Sequence, residues 1–332
     1  MIPTRTLSRF IRAEERKFPH STGELSDLIV SISLGVKIIS QLVATAGFKG
    51  LHGYTGKANI HGEDRHSLDE EADEILVELL GSSGHFGLLV SEERNSVVAT
   101  DTSASGSGKY VIAFDPLDGS SNIGSNIPTG TIFCIFRRGS TRGSASTDDF
   151  LQSGSAIVAA GYSVYGAKTS FVYSAGDGVH GFTLDPAIGE FVLTDERITV
   201  PEKGNIFSIN EGNTCWWDSK VKKYIDDLKA SNLNSKTPYT GRYVGSLVAD
   251  FDRTLRKGGI FLYPADAKRP NGRLRLLYEC MPLAFIIEQS GGSAINGSSR
   301  VLDIVPKDIH EKCALITGSK LEVLDYQRVV HP

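Results

Sequence analysis

Seven short runs rich in apolar and β-branched residues follow one another at 87–90, 110–114, 131–136, 156–160, 171–173, 181–184 and 190–193, each bounded by glycine, serine or aspartate. Runs of that length and spacing form strands, so much of this part of the chain must be sheet. Before it, the stretch 21–47 carries Leu25, Leu28, Ile29, Ile32, Val36, Ile39 and Val43 at helical intervals, opened by Ser21 and Glu24 at capping-box spacing and stopped at Gly47. Ser67 and Glu70 open a second helix, 68–80, with Leu68, Ala72, Ile75, Leu76 and Leu79 as its apolar face and Asp69 in its first turn. Beyond about residue 198 helices and strands alternate: helices 219–230 and 246–257, a strand at 260–263, a helix at 274–289 bent at Pro282, then a last strand and helix. At 332 residues the chain exceeds what one core usually serves, and the reading is an α/β protein of two units, 1–197 and 198–332. The polar segments 100–108 and 139–149 read as exposed loops.

The charge balance excludes some partners. With 35 basic and 39 acidic residues the net charge is −4, so nothing electrostatic favours a nucleic-acid backbone. No uninterrupted apolar run reaches the ~18 residues of a membrane span, and residues 1–12 lack the apolar centre of a secretory signal. Cys134, Cys215, Cys280 and Cys313 lie far apart without a Cys-x-x-Cys pair, which argues against a zinc or thioredoxin-like site and for buried thiols in a reducing compartment. The expected location is the cytoplasm, or a plastid or other organelle if a targeting segment has been removed.

The chemistry concentrates where the run 110–114 ends. There the octet Asp115-Pro116-Leu117-Asp118-Gly119-Ser120-Ser121-Asn122 sets two carboxylates and a glycine-serine turn at one strand tip. Pro116 fixes the backbone, Gly119 permits a sharp turn towards an anion, and carboxylate oxygens suit hard cations such as magnesium. Glu92 and Glu93 end another run, so packing the two strands side by side would gather four acids at one sheet edge. Crowded carboxylates raise one another's pKa, a cost that a bound cation removes. Further acids stand at Glu63 and Asp69, and the segment 271–279 brings Arg273, Arg275 and Glu279, cations for a phosphate and a carboxylate for a metal.

The octet, Ser91-Glu92-Glu93, Asn210-Glu211-Gly212, Arg242-Tyr243-Val244-Gly245-Ser246, Phe261-Leu262-Tyr263-Pro264 and the segment 275–280 together resemble class I fructose-1,6-bisphosphatase across nearly the whole chain. The aspartate motif alone resembles the wider lithium-sensitive, magnesium-dependent phosphatase superfamily; the later segments are similar to the sugar bisphosphatases. The resemblance implies a sugar phosphatase fold with alternating αβαβα layers, and hydrolysis of the 1-phosphate of D-fructose 1,6-bisphosphate by a metal-activated water, in gluconeogenesis or a related sugar-phosphate cycle. It implies two or three Mg2+ per subunit, replaceable by Mn2+ or Zn2+, held by Glu92, Asp115, the Leu117 carbonyl, Asp118, Glu279 and Glu63. Asp69 and Glu93, with Glu63, then activate the water; Glu63 stands where many members have aspartate. Asp118, Gly119, Ser120 and Ser121 would hold the 1-phosphate and sugar end, Arg275 would neutralise phosphate charge, and Asn210, Tyr243 and Tyr263 would hold the 6-phosphate. Arg242 would reach in from a neighbouring subunit of a homotetramer. Asn213 replaces a common tyrosine and Arg273 a common lysine at the same end.

Unpaired N–H groups at Thr22-Gly23-Glu24-Leu25, with Lys109, Tyr110 and Arg137 for charge and stacking, suit the inhibitor AMP that members of the family bind. The polar stretch 139–153 holds no cysteine, unlike the regulatory loop of light-activated plastid members, so a thiol switch of that kind is not expected. Two rival readings are a bisphosphatase acting on sedoheptulose 1,7-bisphosphate and a catalytically silent, metabolite-sensing scaffold; the retained acids oppose the second.

Overall fold

The structure, a computed structural model, describes residues 5–49, 54–58, 64–99, 108–139 and 144–331, with backbone alone at 49, 54–58, 64–66 and 234. Its largest sheet has eight strands in the order Glu190–Ile198, Val179–Asp185, Thr169–Ser174, Ile157–Tyr165, Gly130–Arg137, Tyr110–Asp118, Phe86–Ser91 and Val98–Ala99. Neighbours pair antiparallel throughout, except that Phe86–Ser91 runs parallel to Tyr110–Asp118 with Ser91 opposite Phe114. Parallel strands end on the same side of a sheet, and this one exception brings two acidic strand tips together.

Both faces of this sheet are covered, which explains why its strands read as nearly continuous apolar runs rather than as alternation. Phe133 and Ile135 point into a core with the helices Leu7–Glu15, Glu24–Lys49 and Ser67–Ser83. Ile132, Cys134 and Phe136 point the other way, against the helices Leu247–Lys257 and Met281–Gln289. The far side of that second helical layer meets a five-stranded sheet ordered Thr240–Gly241, Ile206–Ser208, Ile260–Tyr263, Leu315–Gly318, Ser293–Ile295. Phe261 and Leu315 face inward, whereas Ile260, Leu262 and Ile316 face the outer helices Ser219–Ser231 and Lys320–Val330. The result is the expected αβαβα stack, and its middle core draws on residues from both halves of the chain.

Helix Glu24–Phe48 is long and apolar enough to cross a membrane by length and composition, with mean hydropathy 1.8. Here Leu28, Ile29, Ile32, Val36 and Ile39 are buried in the protein core, as the helical spacing requires.

Several expectations need correction. The segment expected as helix 274–289 begins as a strand, Leu274–Arg275, continues as a π-helical turn, Leu276–Cys280, and becomes α-helical only at Met281–Gln289. Pro282 therefore lies in the first turn of the α-helix, where a missing N–H is tolerated, at the junction where the π turn gives way to the α-helix, so the helical pattern is interrupted just after Glu279. The wider π turn carries Glu279. The Ser21–Glu24 capping box does not form: Ser21 Oγ lies 3.2 Å from Glu15 Oε1, and the Glu24 carboxylate accepts from Thr22 Oγ1 at 3.0 Å. The short helix Leu7–Glu15 was not foreseen, because its basic surface hides the apolar set Leu7, Phe10 and Ile11. Cys215 is exposed in the 3-10 turn Glu211–Trp216, contrary to the expectation for all four thiols. Segment 100–107 lies outside the described residues; of 139–149, the part from Ser144 is described and includes a 3-10 turn, Thr147–Asp149.

Candidate active site

The octet folds as its residues dictate. Asp118 closes the strand Tyr110–Asp118, Gly119 follows with φ 76°, a conformation open to glycine, and a 3-10 turn spans Ser120–Ser125. Asp115 Oδ1 accepts the Leu117 N–H at 3.0 Å, which bends the strand tip round its own carboxylate. Leu117 is buried at this bend. On the parallel neighbour, Glu92 N–H donates to the Phe114 carbonyl at 3.2 Å, placing Glu92 beside Asp115. The π turn delivers Glu279 from the other half of the chain, its carboxylate accepting the N–H of Arg275.

Carboxylate oxygens of Glu92, Asp115 and Glu279 thus come within 4.8 Å of one another. Asp118 adjoins them, its Oδ2 accepting the Val248 N–H at 3.0 Å. Asp69, buried at the start of its helix, accepts from Ser120 Oγ at 3.0 Å. All five acids and Glu93 line one cleft of about 360 Å³, together with Leu117, Gly119, Ser120 and Ser121. Tyr243, Tyr263, Arg273 and Arg275 line the same cleft, and Arg273 Nη1 lies 3.4 Å from Tyr263 Oη. Asn210 and Arg242 are not among the lining residues. Asn210 Oδ1 accepts the Gly212 N–H at 3.0 Å, and Arg242 is exposed. Glu63 lies outside the described residues.

The cluster is electrostatically strained. Burial, opposed by Arg275, raises the Glu92 carboxyl to about 7, and burial raises Asp118 to about 6. Asp115 and Glu279 are pushed well above the ordinary carboxylate range, by burial first and then by the neighbouring carboxylates. Asp115 and Glu92 also share a hydrogen bond. Facing them is Arg275, only 3% exposed, with Nε 3.7 Å from Glu92 Oε1. Among the described residues its buried Nε and Nη1 have no hydrogen-bond partner. Buried donors are rarely left unmet, so this guanidinium is poised for an anion entering the cleft. A group of buried oxygens held this close, beside an anion-seeking arginine, fits divalent cations and phosphate together.

A pH dependence follows. Glu92 and Asp118 have folded pKa values near 7 and 6, above their ordinary 4.5 and 3.8. A raised carboxyl stabilises the fold while protonated, fully below its unfolded value, and that stability is lost as pH rises through the folded value. Calorimetry should therefore show a larger gain in Tm on adding a divalent cation to chelated protein at pH 8 than at pH 5; an equal gain at both would refute the strained-cluster account.

Sequence reasoning assigned no role to seven lining residues, Asn122, Gly245, Ser246, Leu247, Asp250, Phe261 and Leu274. Asp250 left a signal, since it is an acid in the first turn of a helix that follows directly on Val244-Gly245-Ser246. Leu247 left none beyond apolar character.

Two family models match, the fructose-1,6-bisphosphatase N-terminal domain over residues 5–196 and the C-terminal domain over 200–331. A class 1 fructose-1,6-bisphosphatase of Chlorobium chlorochromatii (strain CaD3) is 45% identical over 320 residues, 96% of each chain. Crystal structures of Leishmania major fructose-1,6-bisphosphatase superpose with TM-scores of 0.92 in the holo form, at 39% identity over 98% of both chains, and 0.87 in the apo form, at 38% identity over 98% of this chain and 99% of that one. A cleft joining buried acids to an unmet arginine, on a fold and sequence shared end to end with these enzymes, shows that the chain belongs to the class I fructose-1,6-bisphosphatase family and hydrolyses fructose 1,6-bisphosphate.

Proposed function

We propose that this hydrolysis removes the 1-phosphate, leaving D-fructose 6-phosphate, and that the cofactor is Mg2+, two or three ions per subunit, with Glu92, Asp115, the Leu117 carbonyl, Asp118 and Glu279 as protein ligands and Glu63 as a further candidate. Mn2+ or Zn2+ would bind the same oxygens. The observation that carries the reading is the convergence of Glu92, Asp115 and Glu279 beside the unmet Nε and Nη1 of Arg275. When bound, such cations neutralise the carboxylates, acidify the attacking water and stabilise the leaving oxygen. The chain's own residues do the rest. Arg275 takes phosphate charge, the Gly119–Ser121 turn orients the ester, and Asp69 and Glu93 accept or relay the proton of the attacking water. Tyr243, Tyr263 and Arg273 receive the 6-phosphate, Asn210 is a further candidate for the same phosphate, and Arg242 is offered to a neighbouring subunit. Phosphate release assayed with and without magnesium, with the sugar product followed by 31P NMR, tests this; fructose 1-phosphate as product would reverse the assignment of the two ends.

AMP is the proposed inhibitor. Lys109 Nζ lies 2.7 Å from Glu24 Oε2 and 3.2 Å from Thr22 Oγ1, at a helix start where Gly23 has φ 83°. Leu25 follows in the first turn. Arg137 stands opposite Tyr110 across the strand pair, its guanidinium carbon 6.0 Å from the ring centroid. These residues support an AMP site in which two cations would meet a phosphate beside a ring face. Arg137→Ala should raise the AMP concentration for half-inhibition at least about tenfold, as expected for a lost charge-assisted contact; a wild type indifferent to millimolar AMP would dismiss the pocket.

Assembly as a homotetramer is supported by Leu34 and Ile38, 45% and 41% exposed on helix Glu24–Lys49, beside a groove formed with Gln41, Leu42 and Ile75. The four free cysteines support a reducing compartment, and we place the enzyme in the cytoplasm, acting in gluconeogenesis or a related sugar-phosphate cycle.

A further inference from the structure

We infer that Asp250 is a positioning residue for substrate recognition: its buried carboxylate sets the 243–245 segment, and with it the Tyr243 end of the cleft, at a fixed distance from the Asp118 turn. The inference rests on the reading above that Tyr243 receives the phosphate remote from the reacting one.

Asp250 has no exposed surface, yet it lies against the cleft and has a full set of donors. Its Oδ1 accepts from Ser208 Oγ at 2.9 Å, from the Val244 N–H at 3.0 Å and from Arg253 Nη2 at 2.6 Å. Its Oδ2 accepts the N–H groups of Val244 and Gly245 at 3.1 and 2.9 Å. Two consecutive main-chain amides are thus clamped by one carboxylate, immediately after Tyr243. Gly245 can take this path because it sits at φ 86°. From the opposite side, Asn122 Nδ2 donates to the Gly245 carbonyl at 3.0 Å, and the Val248 N–H donates to Asp118 Oδ2 at 3.0 Å. The loop is therefore pinned between Asp250, fixed on its helix, and the turn that carries the metal and ester residues.

The arrangement has a chemical consequence. A bisphosphate is recognised at two ends, and the separation of the two binding ends selects for sugar length only if neither end drifts. From the same helix Arg253 Nη2 also donates to the Arg242 carbonyl at 2.7 Å, just before the segment, while Tyr243 and Val244 are each 38% exposed, so the Asp250 carboxylate is the group that holds the 244 and 245 amides. A neutral amide at 250 would turn an NH2 group towards at least one of the four donors, because both carboxylate oxygens are in use. The clamp would loosen while the acid cluster kept its ligands.

The test uses the full-length enzyme and substrates with and without the second phosphate. Asp250→Asn should raise KM for fructose 1,6-bisphosphate about tenfold or more with kcat within about threefold, and should leave kcat/KM for fructose 1-phosphate within about twofold of wild type. Calorimetric binding of fructose 6-phosphate should weaken by a similar factor, a readout independent of turnover. Tyr243→Phe is measured alongside, and the double variant should lose little more than the larger single loss, since both act through one contact. An equal loss on both substrates would reduce Asp250 to a general structural role and overturn the inference. If Tyr243→Phe discriminates between the substrates and Asp250→Asn does not, the positioning role falls alone; if Tyr243→Phe does not discriminate either, the assignment of that end of the cleft falls with it. Should Asp250→Asn fail to fold, Ser208→Ala, which removes one donor to the same carboxylate, should raise KM for the bisphosphate about two- to threefold with fructose 1-phosphate turnover unchanged, and no change in KM would overturn the inference.

Discussion

Asp115→Asn should lower turnover of fructose 1,6-bisphosphate by about three orders of magnitude at saturating magnesium, while the metal-free protein becomes more stable. The substitution preserves shape and can keep the Oδ1 acceptor for the Leu117 N–H, so the strand tip has no reason to move. It removes one charge from a buried group in which Glu92, Asp115 and Glu279 approach within 4.8 Å. Without cations, burial together with the neighbouring carboxylates pushes the Asp115 and Glu279 carboxyls well above the ordinary range, because each disfavours charge on the others. Deleting one relieves the repulsion by about 1–3 kcal/mol, within the range by which replaced buried charges alter stability. With cations the same deletion removes a ligand. Opposite signs for Tm in chelator and for kcat separate a catalytic site from a structural acid, since a structural acid would lose both together. Retention of a tenth of wild-type turnover would place the metal elsewhere.

Arg275→Met should reduce kcat/KM by about 10²–10³, the usual range for losing a charge-assisted contact to a phosphate in a dry site. The arginine is 3% exposed, its Nε and Nη1 have no hydrogen-bond partner among the described residues, and its Nε lies 3.7 Å from Glu92 Oε1. Methionine fills similar volume but neither binds phosphate nor offsets the carboxylates. Because Arg275 is the main influence lowering the Glu92 pKa, its loss drives that group higher still. Magnesium affinity at pH 7 should then fall, with the deficit shrinking as pH rises and the carboxyl ionises. Inhibition by inorganic phosphate, measured on wild type and variant, reports the anion contact directly; an unchanged inhibition constant would mean that Arg275 serves the carboxylates alone.

Much of this architecture was legible from local pattern. Helical spacing in Leu28, Ile29, Ile32, Val36 and Ile39 matches the buried face of Glu24–Lys49, and each of the seven apolar runs became a strand. Their near-continuous hydrophobicity reflects a sheet covered on both faces. The region around Glu279 was read wrongly because apolar residues at helical intervals suit an α-helix and a strand followed by a π turn equally well, and the choice was made by pairing of Leu274–Arg275 with Lys312–Cys313. The Ser21–Glu24 cap failed for a similar reason: Glu15 and Lys109, distant in sequence or strand, outbid the local partners.

At the site, the octet and its turn were determined by sequence alone, since Pro116 fixes its own φ and Gly119 admits the left-handed conformation the turn needs wherever they occur. That Glu92 and Asp115 share an edge depends on one parallel pairing among antiparallel ones, which no residue in either strand announces. Glu279 arrives from more than 150 positions away, and Asp250 reaches its donors only because a helix start and a loop lie together. Periodicity and turn chemistry act over a few neighbouring residues and are written in the chain. Desolvation, charge repulsion and an unmet guanidinium depend on distances through space, and those distances exist only once the five layers have packed.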